Sequence, residues 1–418
     1  MSEQEIFQAP QRTVAILLAG GRGRRLLDLT RFASKPGVDF GGKYRIIDFT
    51  LSNCMNSNIR RILVATQYNS HRLLEHLQCG WTFLAGNLNE FVHVLPAQQS
   101  LDSDLWYSGT ADAVYQNIQT LRALDPEYVL ILAGDQIYRM DYRVFLEDHL
   151  AQGADLSVAC LEVDRDAARS FGVVGVDSDR ITSFLEKPED PPGLPDRPDR
   201  CLASMGIYLF KAEFLFDELV RDAADPTSSH DFGRDLIPRL IGTTRVVAHR
   251  FEKSHIRNLD KPPYWRDVGT IDAFWEANMD LTSVDPALNL YDETWPVFTY
   301  QEQLPPAKFV HSDPNRNGVA LSSLVSGGCI VSGAMVRESL LFSKVWVHSH
   351  AHLDQAVVLP GADIGRHARL HKVVVDRDCR VPEGLVVGED PETDALRFHR
   401  TPGGVTLISG PMLDRLRG

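Results

Sequence analysis

Residues 14–18, Val-Ala-Ile-Leu-Leu, form an unbroken apolar run that stops at Gly20, Gly21 and Gly23. A run this short and this uniformly apolar suits a strand buried on both faces of a parallel sheet. The glycines remove side chains where the strand ends, so backbone N–H groups can close around an anion. Arg22, Arg24, Arg25 and Lys35 add positive charge to the same stretch. Between residues 11 and 45 there are eight basic side chains against two acidic ones, in a chain whose formal charge is −13. That contrast predicts a small polyanion as ligand and speaks against nucleic acid or an anionic membrane as partner.

Neither of two familiar phosphate motifs fits the stretch. A dinucleotide fingerprint needs a third glycine where Leu26 stands, and a P-loop needs Lys-Ser or Lys-Thr after its last glycine. Further apolar runs at 61–66 and 128–133 read as strands. Between them Ala111, Val114, Ile118 and Leu121 fall on one face of a helix with Thr110 as candidate N-cap. Strands alternating with helices predict an α/β fold with a doubly wound, mostly parallel sheet, whose ligands bind beyond the carboxyl ends of the strands. Asp135 follows the 128–133 run directly and Asp267 lies in a later aromatic loop, so both are candidate ligands for a hard cation such as Mg²⁺. Asp135 also reads as an Asx turn closing its strand. Thr270 is expected to cap a helix running to about residue 282.

After about residue 319 the pattern changes. Leu341, Val347, Leu353 and Leu359 are six apart, as are Val358, Ile364 and Leu370, with glycines between them. A six-residue aliphatic repeat predicts a parallel β-helix, imperfect here because His348, His352 and Asp376 interrupt neighbouring rows. The expected organisation is a catalytic domain over 11–285, a linker over 286–318 and the β-helix over 319–418. Six scattered cysteines with no paired spacing are expected to be free thiols. The polar N-terminus lacks a signal pattern and no run reaches membrane-spanning length, so the cytoplasm is the expected compartment.

The stretch 18–26 resembles the L-A-G-G-x-G-x-R-L signature of sugar nucleotidyltransferases, and Lys35-Pro36 matches the K-P that follows it. FGGKYRIIDFTLSNCMNS, WYSGTADAVYQN, LAGDQIY, FLEKP, LASMGIY, SSHDFG, YWRDVGT and LPPAKFV occur in family order. Over roughly 14–413 the chain thereby resembles the glucose-1-phosphate adenylyltransferase family of bacterial glycogen synthesis. The resemblance implies a Rossmann-like catalytic domain, a left-handed parallel β-helix, a homotetramer and allosteric control by anionic metabolites. It implies catalytic roles for Arg25, Lys35 and Asp135, and Mg²⁺ held by Asp135 and Asp267. ATP would be met by Leu18, Ala19, Gly20, Gly21, Arg25, Lys35, Gln67, Gln98, Tyr107, Gly109, Thr110 and Asp135. Glucose 1-phosphate would be met by Tyr107, Gly172, Glu186, Lys187, Ser204, Asp231, Phe232, Trp265 and Asp267.

Three rival readings share the first domain. A β-helix acyltransferase fused to a uridylyltransferase needs a longer repeat array. A catalytically silent regulatory subunit is expected to have lost a charged site residue, whereas all are in place here. A nucleotidyltransferase using another nucleoside triphosphate remains open. Regulation departs from the family pattern: relatives responding to fructose 1,6-bisphosphate typically carry Lys and His where this chain has Phe32 and Asp39. Weak or absent activation by that effector is expected, with Arg45, Arg397 and Arg400 left for another anion and Arg31 able to take the missing lysine's place.

Overall fold

The computed structural model describes residues 3–21, 23–97, 106–256 and 262–416. The run of residues 14–18 becomes β1 (Thr13–Leu18), followed along the chain by the separate hairpin β2 (Asp39–Phe40) and β3 (Tyr44–Arg45) and then by β4 (Arg61–Thr66), β5 (Phe91–Pro96) and β6 (Tyr128–Ala133). β7 (Gln136–Tyr138), β8 (Leu156–Asp164), β9 (Gly172–Asp177), β10 (Arg180–Glu186), β11 (Arg200–Lys211), β12 (Val246–Arg250) and β13 (Trp265–Asp267) complete the domain. The main sheet runs β5-β4-β1-β6-β11-β8-β12-β10-β9. Its first four strands are parallel, but β11 pairs antiparallel with both β6 and β8, so the second half is mixed. That turn in strand direction had no signal in the apolar runs, since alternation is masked where both faces are covered. Val14 and Ile16 point to one buried layer, Ala15 and Leu17 to the other.

The single helix expected from Thr110 is two short ones, Thr110–Tyr115 and Ile118–Ala123, although its four apolar residues are all buried. Gly109, not Thr110, occupies the cap position. The Thr110 hydroxyl is taken instead by Asp231, and the Asn117 amide donates to the Ala113 carbonyl (2.8 Å) at the break. Thr270 does cap its helix, accepting from the Ala273 N–H at 3.2 Å, and that helix spans Ile271–Asp280.

A parallel β-helix follows. Val331, Val347, Ile364 and Val381 stack in one column, as do Met335, His352, Arg369 and Val386 in another, each coil taking about 17 residues. The residues of the six-spaced rows are buried inside. The first rung is Lys308–Val310, paired with Ile330–Ser332, so the solenoid begins inside the stretch expected as linker. The segment before it is strapped along the helix Ile46–Asn56: Trp295 Nε1 donates to Asn53 (3.0 Å), and the Phe298 N–H to Ser52 (2.8 Å). All six cysteines are free and only Cys79 is exposed. Among the described residues no helix is long and apolar enough to cross a membrane.

The solenoid shares its core with the catalytic domain. Leu26, Leu29, Phe40, Ile137, Val268, Ile271 and Phe274 belong to one buried cluster with the solenoid interior. Polar contacts cross the same seam: Trp275 Nε1 donates to the Gln355 carbonyl (2.9 Å), Arg377 to both oxygens of Asp39 (2.8 and 2.7 Å), and the Ser409 hydroxyl to Asp28. Asp376 sits there as well. Burial above all, together with the Asp28 and Asp39 carboxylates, pushes its carboxyl up to about 6, against the Arg377 N–H and guanidinium that favour the ionised form.

Because the folded-state value is raised, the folded chain holds this proton more tightly than the unfolded chain. Stability from this group is present below about pH 4 and is lost as pH rises through about 6, a difference of about 3 kcal/mol. Asp376→Asn keeps the acceptor for Arg377 and removes the ionisation, so its melting temperature at pH 7.5 should exceed wild type by about 3 °C. Thermal melts from pH 4.5 to 8 check this: the gain should shrink to about a third of its pH 7.5 value at the acid end, and a constant difference would contradict the assignment to Asp376.

Candidate functional site

β1 ends at Leu18, and Ala19 continues the ladder by donating to the Ala65 carbonyl (2.8 Å) before the chain turns. The three glycines then serve different ends. A Cβ on Gly20 would lie 3.2 Å from Gln67 Cβ, whereas one on Gly21 would meet nothing within 4 Å. Gly23 is at φ +58, and a Cβ there would lie 2.8 Å from Thr30 Cγ2, so conformation and space both demand glycine. The following turn, Arg24–Thr30, carries Leu27 at φ 52 and ψ −126, backbone that a non-glycine residue adopts only under constraint. The buried Thr30 hydroxyl lies 3.1 Å from both the Gly23 and Leu27 carbonyls and ties the turn together. Arg22 and Gln98 lie outside the described residues.

Two distant carboxylates meet beyond this loop because β7 and β13 form an antiparallel ribbon in which Asp267 stands opposite Gln136. Asp135, one residue before Gln136, therefore lies beside Asp267. Lys35 enters between them from the turn Lys35–Gly37: its ammonium is 3.0 Å from Asp135 Oδ2 and also bonds Asp267 Oδ1. Burial works to lower the Lys35 pKa, but the two carboxylates outweigh it and the net shift is upward, so the lysine stays charged. Arg25 reaches within 3.7 Å of Asp267 while remaining largely exposed. Two converging, partly exposed carboxylates facing a glycine loop suit a hard divalent cation that keeps waters and takes further oxygens from phosphate. Among the described residues no group of three or more metal-ligating side chains occurs.

On one flank Gln67 Nε2 donates to the Tyr107 carbonyl (3.4 Å), and the Tyr107 hydroxyl receives the Asn117 amide (3.1 Å). Gly109 packs so closely that a Cβ would lie 2.2 Å from the His230 carbonyl oxygen. On the other flank the Thr110 hydroxyl donates to Asp231 (3.0 Å) and accepts from the Phe232 N–H (3.0 Å). A Cβ on Gly233 would lie 2.7 Å from Glu186 Oε2, so that glycine leaves room for the carboxylate, whereas one on Gly172 would meet the Phe184 ring at 2.5 Å before Glu186 at 3.2 Å. Lys187, at φ +48, pairs with Glu186 (3.0 Å) and is mostly exposed.

Ser204 lies where the β11 register breaks, next to Gly206 at φ +67. Trp265 donates to Gln136 Oε1 (3.1 Å), and Gln136 Nε2 donates to the Met205 carbonyl (2.9 Å), a bracket between the carboxylate ribbon and that break. Apart from Gln98, the residues expected to meet the substrates are thus linked through these contacts, though not all by exposed side chains: Ala19 is buried in the core. The Phe232 ring is buried against Tyr208 and Phe210, so only its backbone faces the loop. Sequence reasoning missed Thr30 and Gln136; the latter follows Asp135 in the quoted motif, but nothing in the string marks which neighbour of a carboxylate braces it.

The residues expected to be regulatory do not form one group. A cleft of about 670 Å³ between the domains is lined by Asp39, Lys43, Arg45 and Arg377 among others, but by neither Arg397 nor Arg400. Arg397 instead bonds Asp394 and the Val386 carbonyl at the far end of the solenoid, and Arg400 curls over Gly404. Arg377, which the sequence reading passed over, takes the place expected of them. Phe32 is exposed with the Arg31 guanidinium 5.2 Å above its ring. Arg45 donates to the Arg72 carbonyl (2.7 Å), and burial lowers its pKa.

Comparison with known proteins gives two family matches: Nucleotidyl transferase over residues 14–284 and the GlmU-like C-terminal hexapeptide over residues 305–408. The chain is 57% identical over 409 residues to the glucose-1-phosphate adenylyltransferase of Dechloromonas aromatica (strain RCB), covering 98% of this chain and 93% of that one. It is 56% identical over 408 residues to the protein of the same name from Rhodopseudomonas palustris (strain BisB18), covering 97% of each. The protein of that name from Rhodospirillum rubrum is 57% identical over 407 residues, 97% of this chain and 96% of the relative.

Proposed function

The chain belongs to the glucose-1-phosphate adenylyltransferase family, and from that premise we propose that it transfers the adenylyl group of ATP to α-D-glucose 1-phosphate, releasing pyrophosphate and forming ADP-glucose for glycogen synthesis. The observation that carries the reading is the Lys35 ammonium held between Asp135 and Asp267 beside an open glycine loop. A nucleotide panel against glucose 1-phosphate tests it: ADP-glucose should be the main product, and preferential turnover of UTP or dTTP would overturn it.

A sugar phosphate with a second pKa near 6 is largely dianionic at neutral pH and attacks without a general base. The protein's task is to hold two anions in line and to neutralise charge on the α-phosphate and the departing pyrophosphate. The open backbone at Gly21 leaves room for the triphosphate, whose charge exposed Arg25 and fixed Lys35 would meet. Tyr107, Gly109 and Thr110 would border the nucleoside, while Glu186, Lys187, Ser204, Asp231 and Trp265 would border the glucosyl phosphate. Asp135 and Asp267 would hold Mg²⁺, which when bound supplies positive charge to the phosphates. Assembly as a homotetramer in the cytoplasm belongs to the same reading; exposed Phe309 and Leu321 on the first coils leave apolar surface for such contacts.

Asp135→Asn should lower kcat by about two orders of magnitude with folding intact, because a neutral amide neither ligates a hard cation strongly nor fixes Lys35. Near-normal turnover in saturating Mg²⁺ and ATP would remove Asp135 from that role. Lys187→Ala should raise KM for glucose 1-phosphate much more than KM for ATP, since the side chain is exposed, pairs with Glu186 and adds a point charge on one substrate. An equal change in both constants would indicate a structural role.

Control by an anionic metabolite at the cleft between the domains completes the proposal. Asp39 already neutralises Arg377 there with two charge-assisted bonds, and Arg31 is stacked on Phe32. Fructose 1,6-bisphosphate should therefore activate weakly or not at all, as initial rates at subsaturating ATP will show. Strong activation at micromolar effector would mean that Arg31 or Arg45 compensates, and Asp39→His should in either case increase the response.

A further inference from the structure

One buried carboxylate outside every motif quoted above is bonded to the loop that presents Asp231. Asp222 lies in the last turn of the helix Ala212–Ala223 and is 2% exposed. Its Oδ1 accepts the Ser228 hydroxyl (2.9 Å) and lies 3.5 Å from an Arg239 nitrogen, and its Oδ2 is 3.0 Å from His230 Nδ1. Ser228 Oγ in turn accepts the His230 N–H at 2.9 Å. His230 adopts φ +56, and its carbonyl accepts from the Ala111 and Asp112 N–H groups (2.8 and 3.3 Å). Residues 228–231 are therefore suspended between Asp222 and the start of the helix Thr110–Tyr115.

We propose that Asp222 is a positioning residue for the sugar-phosphate pocket: by fixing Ser228 and His230 it sets the path of residues 228–231 and so where the Asp231 carboxylate stands. The inference rests on the assignment of Asp231 to glucose 1-phosphate made above. Three features weight the effect toward that side. The helix Thr110–Tyr115 takes the His230 carbonyl at its start but is held as well by buried Ala111 and Val114, which limits how far a shift of the loop carries to the nucleotide flank. Phe232, packed on Tyr208 and Phe210, holds the far end of the loop. Asp231 also accepts the Gly233 and Arg234 N–H groups (2.9 and 3.1 Å), so its carboxylate turns with the local backbone and not freely.

The test uses Asp222→Asn, Ser228→Ala and His230→Asn, the last chosen because asparagine tolerates positive φ. Each variant's KM for ATP and for glucose 1-phosphate is measured on the full-length chain beside its melting temperature. KM for glucose 1-phosphate should rise roughly tenfold, with KM for ATP within about twofold, and Ser228→Ala and His230→Asn should melt close to wild type. The double variant Ser228→Ala/His230→Asn should be less than multiplicative, since both act through one loop. Wild-type sugar-phosphate KM in the folded variants, or an equal rise in both constants, overturns the positioning role while leaving the reaction standing. Absence of ADP-glucose formation by the wild-type chain overturns the reaction itself. Should Asp222→Asn fail to fold, the two loop variants decide alone.

Discussion

The contact on which the site depends is the Lys35 ammonium between two carboxylates brought from 100 and 232 residues away. A buried lysine is costly unless it is paired, and two nearby aspartates would repel each other without it. Each member thus makes the others' placement tolerable. The ribbon of β7 and β13 sets the spacing of the carboxylates, Pro36 and the turn after Lys35 set the approach of the ammonium, and Thr30 closes the loop from which both are reached. Arg25, by contrast, is only loosely tied, so the site combines one fixed cation with one that can follow a ligand.

Placement of that ribbon is inseparable from the solenoid. Ile137 on β7 and Val268 just past β13 sit in the same buried cluster as the solenoid interior, together with Leu26 and Leu29 of the phosphate loop. The helix Ile271–Asp280 starts three residues after Val268 and leans on the solenoid through Trp275 and through Asp272, which accepts the Thr401 hydroxyl. A packed core transmits displacement instead of absorbing it. A shift of the solenoid against the first domain would therefore move the backbone beside Asp267, and would give the effector proposed for the cleft at Arg45 and Arg377 a physical route to that carboxylate.

Much of this was legible in the sequence because it is written in short-range pattern. Strand ends at Leu18, Thr66 and Ala133, the Thr270 cap and the aliphatic rows of the solenoid follow from periodicity and turn chemistry alone. What escaped depends on where distant segments meet. The antiparallel insertion of β11 leaves no trace in a run buried on both faces. Thr110 looked like a cap because threonine usually is one, but a tertiary partner, Asp231, outbid the helix for its hydroxyl. Arg397 read as a free cation only until its own helix end claimed it, and Arg400 lies away from the cleft between the domains. The site residues themselves were carried by motif resemblance, and burial then separated exposed side chains such as Arg25 and Lys187 from Ala19 and Phe232, which are core.

Charge counting explains why this arrangement suits a divalent cation. Lys35, Asp135 and Asp267 together carry a formal −1, and Arg25 only brings these four to zero, so this group by itself adds no net attraction for a triphosphate to that of the basic stretch around it. A divalent cation at the two carboxylates would make the cluster positive by two, and in a crevice of reduced dielectric that reversal is worth several kcal/mol against each incoming charge. The remainder of the chain, at −13, repels polyanions at long range. Binding at this cluster would then be gated by the cation, so that ATP arriving with its metal meets an attractive group while bare polyphosphates meet a neutral one.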